Sequence, residues 1–321
     1  MANELDPTVR LAPGSLPEPA PEVPPAATRR PAGLLIGGGL AVAALLGGLL
    51  WVLLPGAPPG PAPEIATAPP RPVPPASPLL EEAAILLLQA EQPRMVRVKS
   101  NPRVFVLLFT GLEQQGAALN RIAALVEKRG LPRDRLLNEA ELAAAIAASG
   151  DTPATWFYGH DYRLADLTRF FALAERDRVA LNEAELWVRD RLREAVAQVA
   201  PGESLALVSA ANAGPRMDAA MRAAILKHEL SHGHYFTWPG FAEHVHMVWR
   251  DRFTEADRQA LTSFLGREGY DTGNAELMAN EAMAYLLFTP DARIFSAAAL
   301  GVAEAQLERL RGLMREGLPL P

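Results

Sequence analysis

The feature that most limits how this 321-residue chain can fold is a run of 23 consecutive uncharged, mostly apolar residues at positions 32–54. A helix of ~20 residues crosses the ~30 Å hydrocarbon layer of a bilayer, so this run is long enough to span a membrane once. Arg29 and Arg30 precede it directly, whereas the next charged residue after it is Glu64. The positive-inside rule therefore predicts a single-pass protein of the cell (inner) membrane, with a cytoplasmic N-terminus and a periplasmic, extracytoplasmic remainder.

A cleaved signal peptide is the competing interpretation of the same run. Signal peptides have a short charged region and an apolar core of about 7–15 residues, and both segments are longer here. We therefore expect a retained anchor. Gly33 and Gly37 form a GxxxG pattern, through which two copies of a glycine-rich span could pair as a homodimer.

Proline divides the rest of the chain into segments, since 19 of its 29 prolines lie before residue 80. Residues 1–31 are rich in proline and polar side chains without periodicity, which predicts a disordered cytoplasmic tail. Residues 55–79 hold 11 prolines and are predicted to be an extended linker. Residues 80–321 carry the patterns of a folded domain and are expected to form one extracytoplasmic catalytic unit.

The folded segment is predicted to be α+β, mostly helical with a small sheet. Short apolar runs at 104–109 and 204–210 indicate buried strands. Asp161 is expected to cap the helix at 162–176, and Thr254 with Asp257 resembles a capping pair. The helical patterns lie at 138–148, 162–176, 182–199, 216–232, 254–268, 274–288 and 302–315.

Composition excludes several functions. The chain has no cysteine, which rules out disulfides, thiolate zinc sites and cysteine nucleophiles. Its net charge is −6 and it has no basic stripe with interleaved aromatics, so nucleic acid is not expected as a partner.

The sequence His228-Glu229-Leu230-Ser231-His232 lies inside the helical pattern at 216–232. The i, i+4 spacing puts both imidazoles on one helix face, where they can bind one Zn²⁺, with Glu229 beside the open coordination position as general base. Met221 and Ile225 continue the histidine face and aim it inward. Gly233, directly after the motif, suits a helix C-cap.

A third metal ligand is expected from the helix at 274–288. Glu281 lies in the middle of an apolar stripe, and a buried carboxylate needs a cation or strong hydrogen bonds to stay ionised. Glu276 lies in the first turn, where a carboxylate complements the helix dipole. Glu281 is therefore favoured over Glu276, with His244 or His246 as the remaining alternatives.

These residues resemble the gluzincin branch of the zincin metallopeptidases. The resemblance rests on His228, Glu229, His232 and the later Glu281, and it covers only two helices. It implies a zincin-like domain in which both histidines and Glu281 bind zinc and Glu229 activates a zinc-bound water. It also implies peptide or protein substrates, bound along the edge strand that precedes the active-site helix.

The strand at 204–210 takes the place of that edge strand, so Leu207, Val208 and Ser209 are the expected substrate-binding positions. A donor for the tetrahedral oxyanion is also needed. Four side chains remain open for that role, namely Tyr285, Tyr235, His234 and His160.

Three functions compete at this point. The first is a membrane-anchored zinc peptidase that hydrolyses peptide bonds. The second is a catalytically silent or slow zincin-fold scaffold that binds a cell-envelope partner, against which an intact Glu229 argues because a binder needs no base beside the metal. The third is a zinc amidase acting on peptidoglycan peptides, for which the linker would provide reach.

Overall fold

The computed structural model of this protein describes residues 76–319. The predicted tail, the predicted membrane span and positions 55–75 of the predicted linker lie outside this part of the chain. Between residues 76 and 319, no helix is both long enough and apolar enough to cross a bilayer.

The described residues have a mixed α+β architecture, as the sequence predicts. The strands are β1 Leu79–Leu80, β2 Arg94–Val98, β3 Val104–Phe109, β4 Gly159–Arg163 and β5 Ala206–Ala211. The helices are α1 Glu82–Leu87, α2 Leu112–Val126, α3 Glu139–Ala148, α4 Leu164–Asp177, α5 Glu183–Val196, α6 Ala219–Thr237, α7 Pro239–Met247, α8 Glu255–Arg267, α9 Ala275–Phe288, α10 Ala297–Leu300 and α11 Glu304–Arg315. A π-helical segment, Val248–Arg252, follows α7.

The strands form one sheet in the order β1-β2-β3-β5-β4. β3 pairs parallel with β5, and β4 pairs antiparallel with the other side of β5. Both β3 and β5 are buried along their whole length, as expected for strands covered on both faces. The prediction of two buried strands is confirmed, but the prediction that the second is an edge strand is wrong. The edge strand beside β5 is β4, whose polar residues do not form the apolar run that predicts a buried strand.

Helices cover the sheet on both faces. On one face α6 packs against β3 and β5 through Leu226 and Leu230. On the other face α2, α4 and α5 pack against the alternate side chains of the same strands. Helices α7 to α11 form a further layer on the outer side of α6, where Met221 and Ile225 join their apolar core. As a result α6 lies between the sheet and this helical layer.

The boundaries of α6 differ from the predicted ones. It begins after Asp218, whose side chain accepts a hydrogen bond from the Met221 amide at 2.8 Å. It ends at Thr237, so the predicted C-cap role of Gly233 is wrong. A Cβ atom on Gly233 would lie 2.6 Å from Cγ1 of Val104. Glycine at this position therefore lets α6 approach the sheet closely.

The predicted role of Asp161 as a helix cap is also wrong. Helix α4 begins after Arg163, which makes no side-chain cap, and Asp161 lies inside β4. The other predicted helices are confirmed to within a few residues. Three of them start with a capping box, at Asn138, Asn182 and Thr254.

Replacement of Gly233 by alanine should lower the free energy of unfolding by about 1–3 kcal/mol, because a stiff valine side chain blocks the added methyl group. Gly312→Ala is the matched control, since Gly312 is an exposed helical glycine in α11 with open space around it. It should stabilise the fold by about 0.5–1 kcal/mol. Urea denaturation of both variants measures the two changes, and equal effects would contradict the close approach.

Candidate metal centre

Three buried side chains converge between α6 and α9. The distance between Nε2 of His228 and Nε2 of His232 is 3.0 Å. The two carboxylate oxygens of Glu281 lie 3.5 Å from Nε2 of His228 and 3.6 Å from Nε2 of His232. Each of the three residues can offer one ligand atom to a common point, so this triad could hold a metal ion.

The spacing and chemistry of the triad fit a small divalent ion. Metal–ligand bonds of ~2.0–2.2 Å in a tetrahedral site place the ligand atoms ~3.3–3.6 Å apart, close to the separations in the triad. Oε2 of Glu281 is buried and has no hydrogen-bond partner among the described residues. A bound cation would compensate this oxygen for the missing hydrogen bond, because a buried carboxylate without a partner is unfavourable.

Hydrogen bonding prepares His228 for a metal. Oγ1 of Thr289 donates to the carbonyl oxygen of Ala284 at 3.0 Å, so it acts as an acceptor toward Nδ1 of His228 at 2.9 Å. The proton is thereby held on Nδ1, and the lone pair of Nε2 faces the triad. Burial lowers the pKa of His228 to about 4, which keeps the imidazole neutral as a ligand must be.

Glu281 is placed as the sequence predicts, and the alternatives for the third ligand lie elsewhere. Glu276 forms an ion pair with Arg163 and is about half exposed. His244 bonds the carbonyl oxygen of Met314, and His246 bonds the hydroxyl of Tyr235. None of these three joins the triad.

Glu281 has a neighbour that the sequence did not indicate. Tyr270, from the loop between α8 and α9, lies close enough to Glu281 to lower the pKa of its carboxyl group. Burial raises the pKa of Glu281, and the charge of Asp161 adds to this, while His232 and Tyr270 oppose it. In the metal-free protein the net direction is upward, so the ligand binds a proton more readily than an exposed glutamate does.

The carboxyl group of Glu229 lies against the edge strand. A Cβ atom on Gly159 of β4 would lie 2.2 Å from Oε1 of Glu229, so only glycine leaves room for this side chain. Oε2 of Glu229 is buried and has no hydrogen-bond partner within residues 76–319. Burial raises the pKa of Glu229 well above its ordinary value, and the nearby carboxylates of Asp161, Glu281 and Glu127 raise it further.

The four candidate oxyanion donors are widely separated. Tyr285 lies at the site, with its ring centroid 4.8 Å from that of His228, and its buried hydroxyl has no hydrogen-bond partner among the described residues. Tyr235 is bonded to His246, and His234 is held by Asn101 and Glu82. His160 points to the other face of the sheet, where it bonds Tyr162.

The expected substrate-binding residues do not line an open strand. Leu207, Val208 and Ser209 lie in β5, which is hydrogen-bonded on both sides. All three are about 1% exposed, and Leu207 packs in the core under α2 and α4. A peptide that adds a strand to this sheet beside α6 would have to pair with β4 instead.

Nothing in the sequence indicated Tyr270 or Thr289 as site residues, whereas the aromatic segment 156–162, which holds Gly159 and Asp161, fitted a cleft wall and a strand end with a helix cap equally well. Oδ2 of Asp161 lies 4.0 Å from Nε2 of His232, although its position in the chain indicated a helix cap. The positions of these four residues depend on the pairing of β4 with β5 and on the course of two loops. The one usable signal was the polar strand 159–163 directly after a dense aromatic cluster.

No family model, curated protein or solved structure matches this chain. The class of the site therefore rests on its own residues.

Metal binding should depend on Glu281 and not on Glu276. We expect about one equivalent of ion per chain in the unmodified protein, and a loss of about 10-fold to 100-fold or more in affinity for Glu281→Ala. Glu276→Ala removes the same side chain from the same helix and should bind normally. Metal analysis by mass spectrometry after dialysis decides between them, and a defect confined to Glu276→Ala would contradict the geometry.

Stability without metal should fall as pH rises above about 6.5, the ordinary pKa of histidine. Burial raises the pKa of Glu229 and of Glu281 above the ordinary 4.5, so from there upward the folded chain binds more protons than the unfolded chain. Stability then decreases with rising pH above about 6.5 until these raised pKa values are passed, whereas below 6.5 the lowered pKa of His228 opposes the trend. A bound cation should weaken this dependence because it favours the ionised carboxylates. This pH dependence is measured as the melting temperature across a pH series, once with chelator and once with Zn²⁺. Parallel curves under the two conditions would contradict the assignment of Glu281 as a metal ligand.

Proposed function

We propose that this chain is a zinc-dependent peptidase of the zincin type, with the gluzincin ligand set His228, His232 and Glu281. The observation that carries the proposal is the position of the Glu229 carboxyl group beside the triad. A metal-binding scaffold has no need of a second, unliganded carboxyl group held there against a glycine. Two imidazoles with one carboxylate are a common ligand set of catalytic zinc sites.

The residues of the chain divide the chemistry between them. A bound Zn²⁺ would supply a Lewis acid that polarises a carbonyl group and lowers the pKa of water. The Glu229 carboxylate accepts a proton from the attacking water as its oxygen bonds to the carbonyl carbon. The same group then returns the proton to the amide nitrogen as the carbon–nitrogen bond breaks, which releases an amine and a carboxylic acid. Tyr285 is the donor best placed to stabilise the oxyanion.

The substrate backbone would bind along β4. Within residues 76–319 no strand pairs with the outer side of β4, so its backbone groups there can pair with an extended peptide. Gly159 and Asp161 of this strand lie beside Glu229 and His232. A peptide bound here would therefore run past the candidate metal centre.

The proposed membrane attachment rests on residues 32–54 alone. Those residues are outside the described part of the chain, and the apolar run and its flanking arginines remain the support for an inner-membrane anchor with a periplasmic catalytic domain.

Glu229→Gln tests the catalytic role. The amide has nearly the same shape as the carboxyl group but cannot accept the proton, so hydrolysis of a mixed peptide library should fall by about 10²–10⁴-fold. Zinc content should not change, because Glu229 is not a member of the triad. Glu276→Gln makes the same chemical change at an exposed position and should leave hydrolysis intact.

Two results would refute this assignment. Loss of zinc from Glu229→Gln would make this residue a ligand or a structural group. Full retention of biological function by a zinc-loaded Glu229→Gln protein would favour the scaffold.

A further inference from the structure

Asp161 is the carboxylate at the mouth of the candidate centre. Its side chain is 16% exposed, whereas those of His228, His232 and Glu281 are at most 4% exposed. It projects from the edge strand toward α6, on the same side of β4 as Gly159 and Arg163. A substrate that approaches the triad along β4 would meet Asp161 before it meets the buried ligands.

Asp161 does not belong to the ligand set. Its oxygen comes within 4.0 Å of Nε2 of His232, yet among the described residues the groups able to share one ion comprise the triad alone. Direct ligation of the same ion would need Asp161 to lie close to all three ligand atoms. The carboxylate thus flanks the position that the triad leaves open.

The charges around this position do not balance. Asp161, Glu229 and Glu281 act on one another electrostatically, and Glu127 acts on the same group. Among the described residues, Asp161 makes no ion pair with a lysine or an arginine, and its one ion-pair contact is with Nε2 of His232 at 4.0 Å. The cation on the same strand, Arg163, is already paired with Glu276 and stacked over Phe236. A further positive charge would therefore be stabilised beside Asp161.

A second observation points in the same direction. Glu229 is 2% exposed, and its buried Oε2 has no hydrogen-bond partner in the part of the chain that the structure describes. Glu229 and Asp161 are close enough to interact directly. Two carboxyl groups therefore lie side by side there, and Glu229 can ionise beside Asp161 only at an electrostatic cost.

We propose, on the basis of the peptidase function above, that Asp161 binds the α-ammonium group of a peptide N-terminus and that this site is an aminopeptidase. The α-nitrogen is two bonds from the carbonyl carbon that is attacked, so in an aminopeptidase it must lie next to the metal position, as Asp161 does. A lysine side chain would carry its ammonium group several ångströms further away.

Binding of three hydroxamates to the zinc-loaded full-length chain tests this recognition without turnover. Each probe chelates the metal, and they are leucine hydroxamate, Nα-acetyl-leucine hydroxamate and Nα-acetyl-lysine hydroxamate. Dissociation constants are measured by calorimetry at a pH at which the amines are protonated. The proteins are the unmodified chain, Asp161→Asn and, as a matched control, Asp166→Asn, which removes a neighbouring carboxylate in the first turn of α4.

Because Asp161 would make a charge-assisted hydrogen bond to the free α-ammonium group, we expect leucine hydroxamate to bind about 10-fold to 100-fold more tightly than its acetylated form. The same preference should persist in Asp166→Asn and should disappear in Asp161→Asn with zinc content unchanged. The lysine probe should bind like acetyl-leucine hydroxamate.

The contrary outcomes are distinct. Equal affinities of the two leucine probes for the unmodified chain, or a preference that survives in Asp161→Asn, would overturn the recognition while leaving the peptidase proposal standing. Tight binding of the lysine probe would mean that the site recognises a side-chain ammonium group instead of an α-ammonium group. Loss of zinc from Asp161→Asn would mean that Asp161 is a metal ligand. Both results overturn the proposal. A chain that binds neither zinc nor any hydroxamate would refute the metal centre itself.

Discussion

The burial of ionisable side chains between α6 and α9 is the constraint on which the rest of the site depends. His228, Glu229 and Glu281 are each 2–3% exposed. Burial disfavours the charged form of each of them, so the imidazole is neutral and both carboxyl groups are hard to ionise. Protonation or a nearby cation can satisfy such carboxyl groups. The packing of α6 against α9 brings neutral nitrogen ligands and carboxyl groups together, so one ion would satisfy both demands.

The sequence predicted the parts of this arrangement that lie along a single helix. The spacing of His228 and His232 fixes their common face, and the apolar stripe around Glu281 indicates its burial. Strand β3 was found because it is apolar throughout, and α8 because Thr254 and Asp257 form a capping box. These signals are local, since periodicity and capping depend on residues a few positions apart.

The parts that the sequence did not predict depend on contacts between distant segments. Asp161 has the local appearance of a helix cap, and only the pairing of β4 with β5 turns it toward His232. Gly233 looks like a helix end, yet the approach of Val104 explains it. Thr289 and Tyr270 reach the triad from a helix terminus and a loop, where no periodic pattern exists to locate them.

The enclosure of α6 between the sheet and the helical layer also bears on exchange kinetics. This helix is buried on nearly every side, so its backbone amides should exchange with solvent only through large-scale opening of the domain. Both histidines of the triad are on that helix. The positions of these two ligands should therefore persist between substrate encounters, because they change only when the core opens. The slowest hydrogen exchange in the protein would then report how long this ligand arrangement lasts.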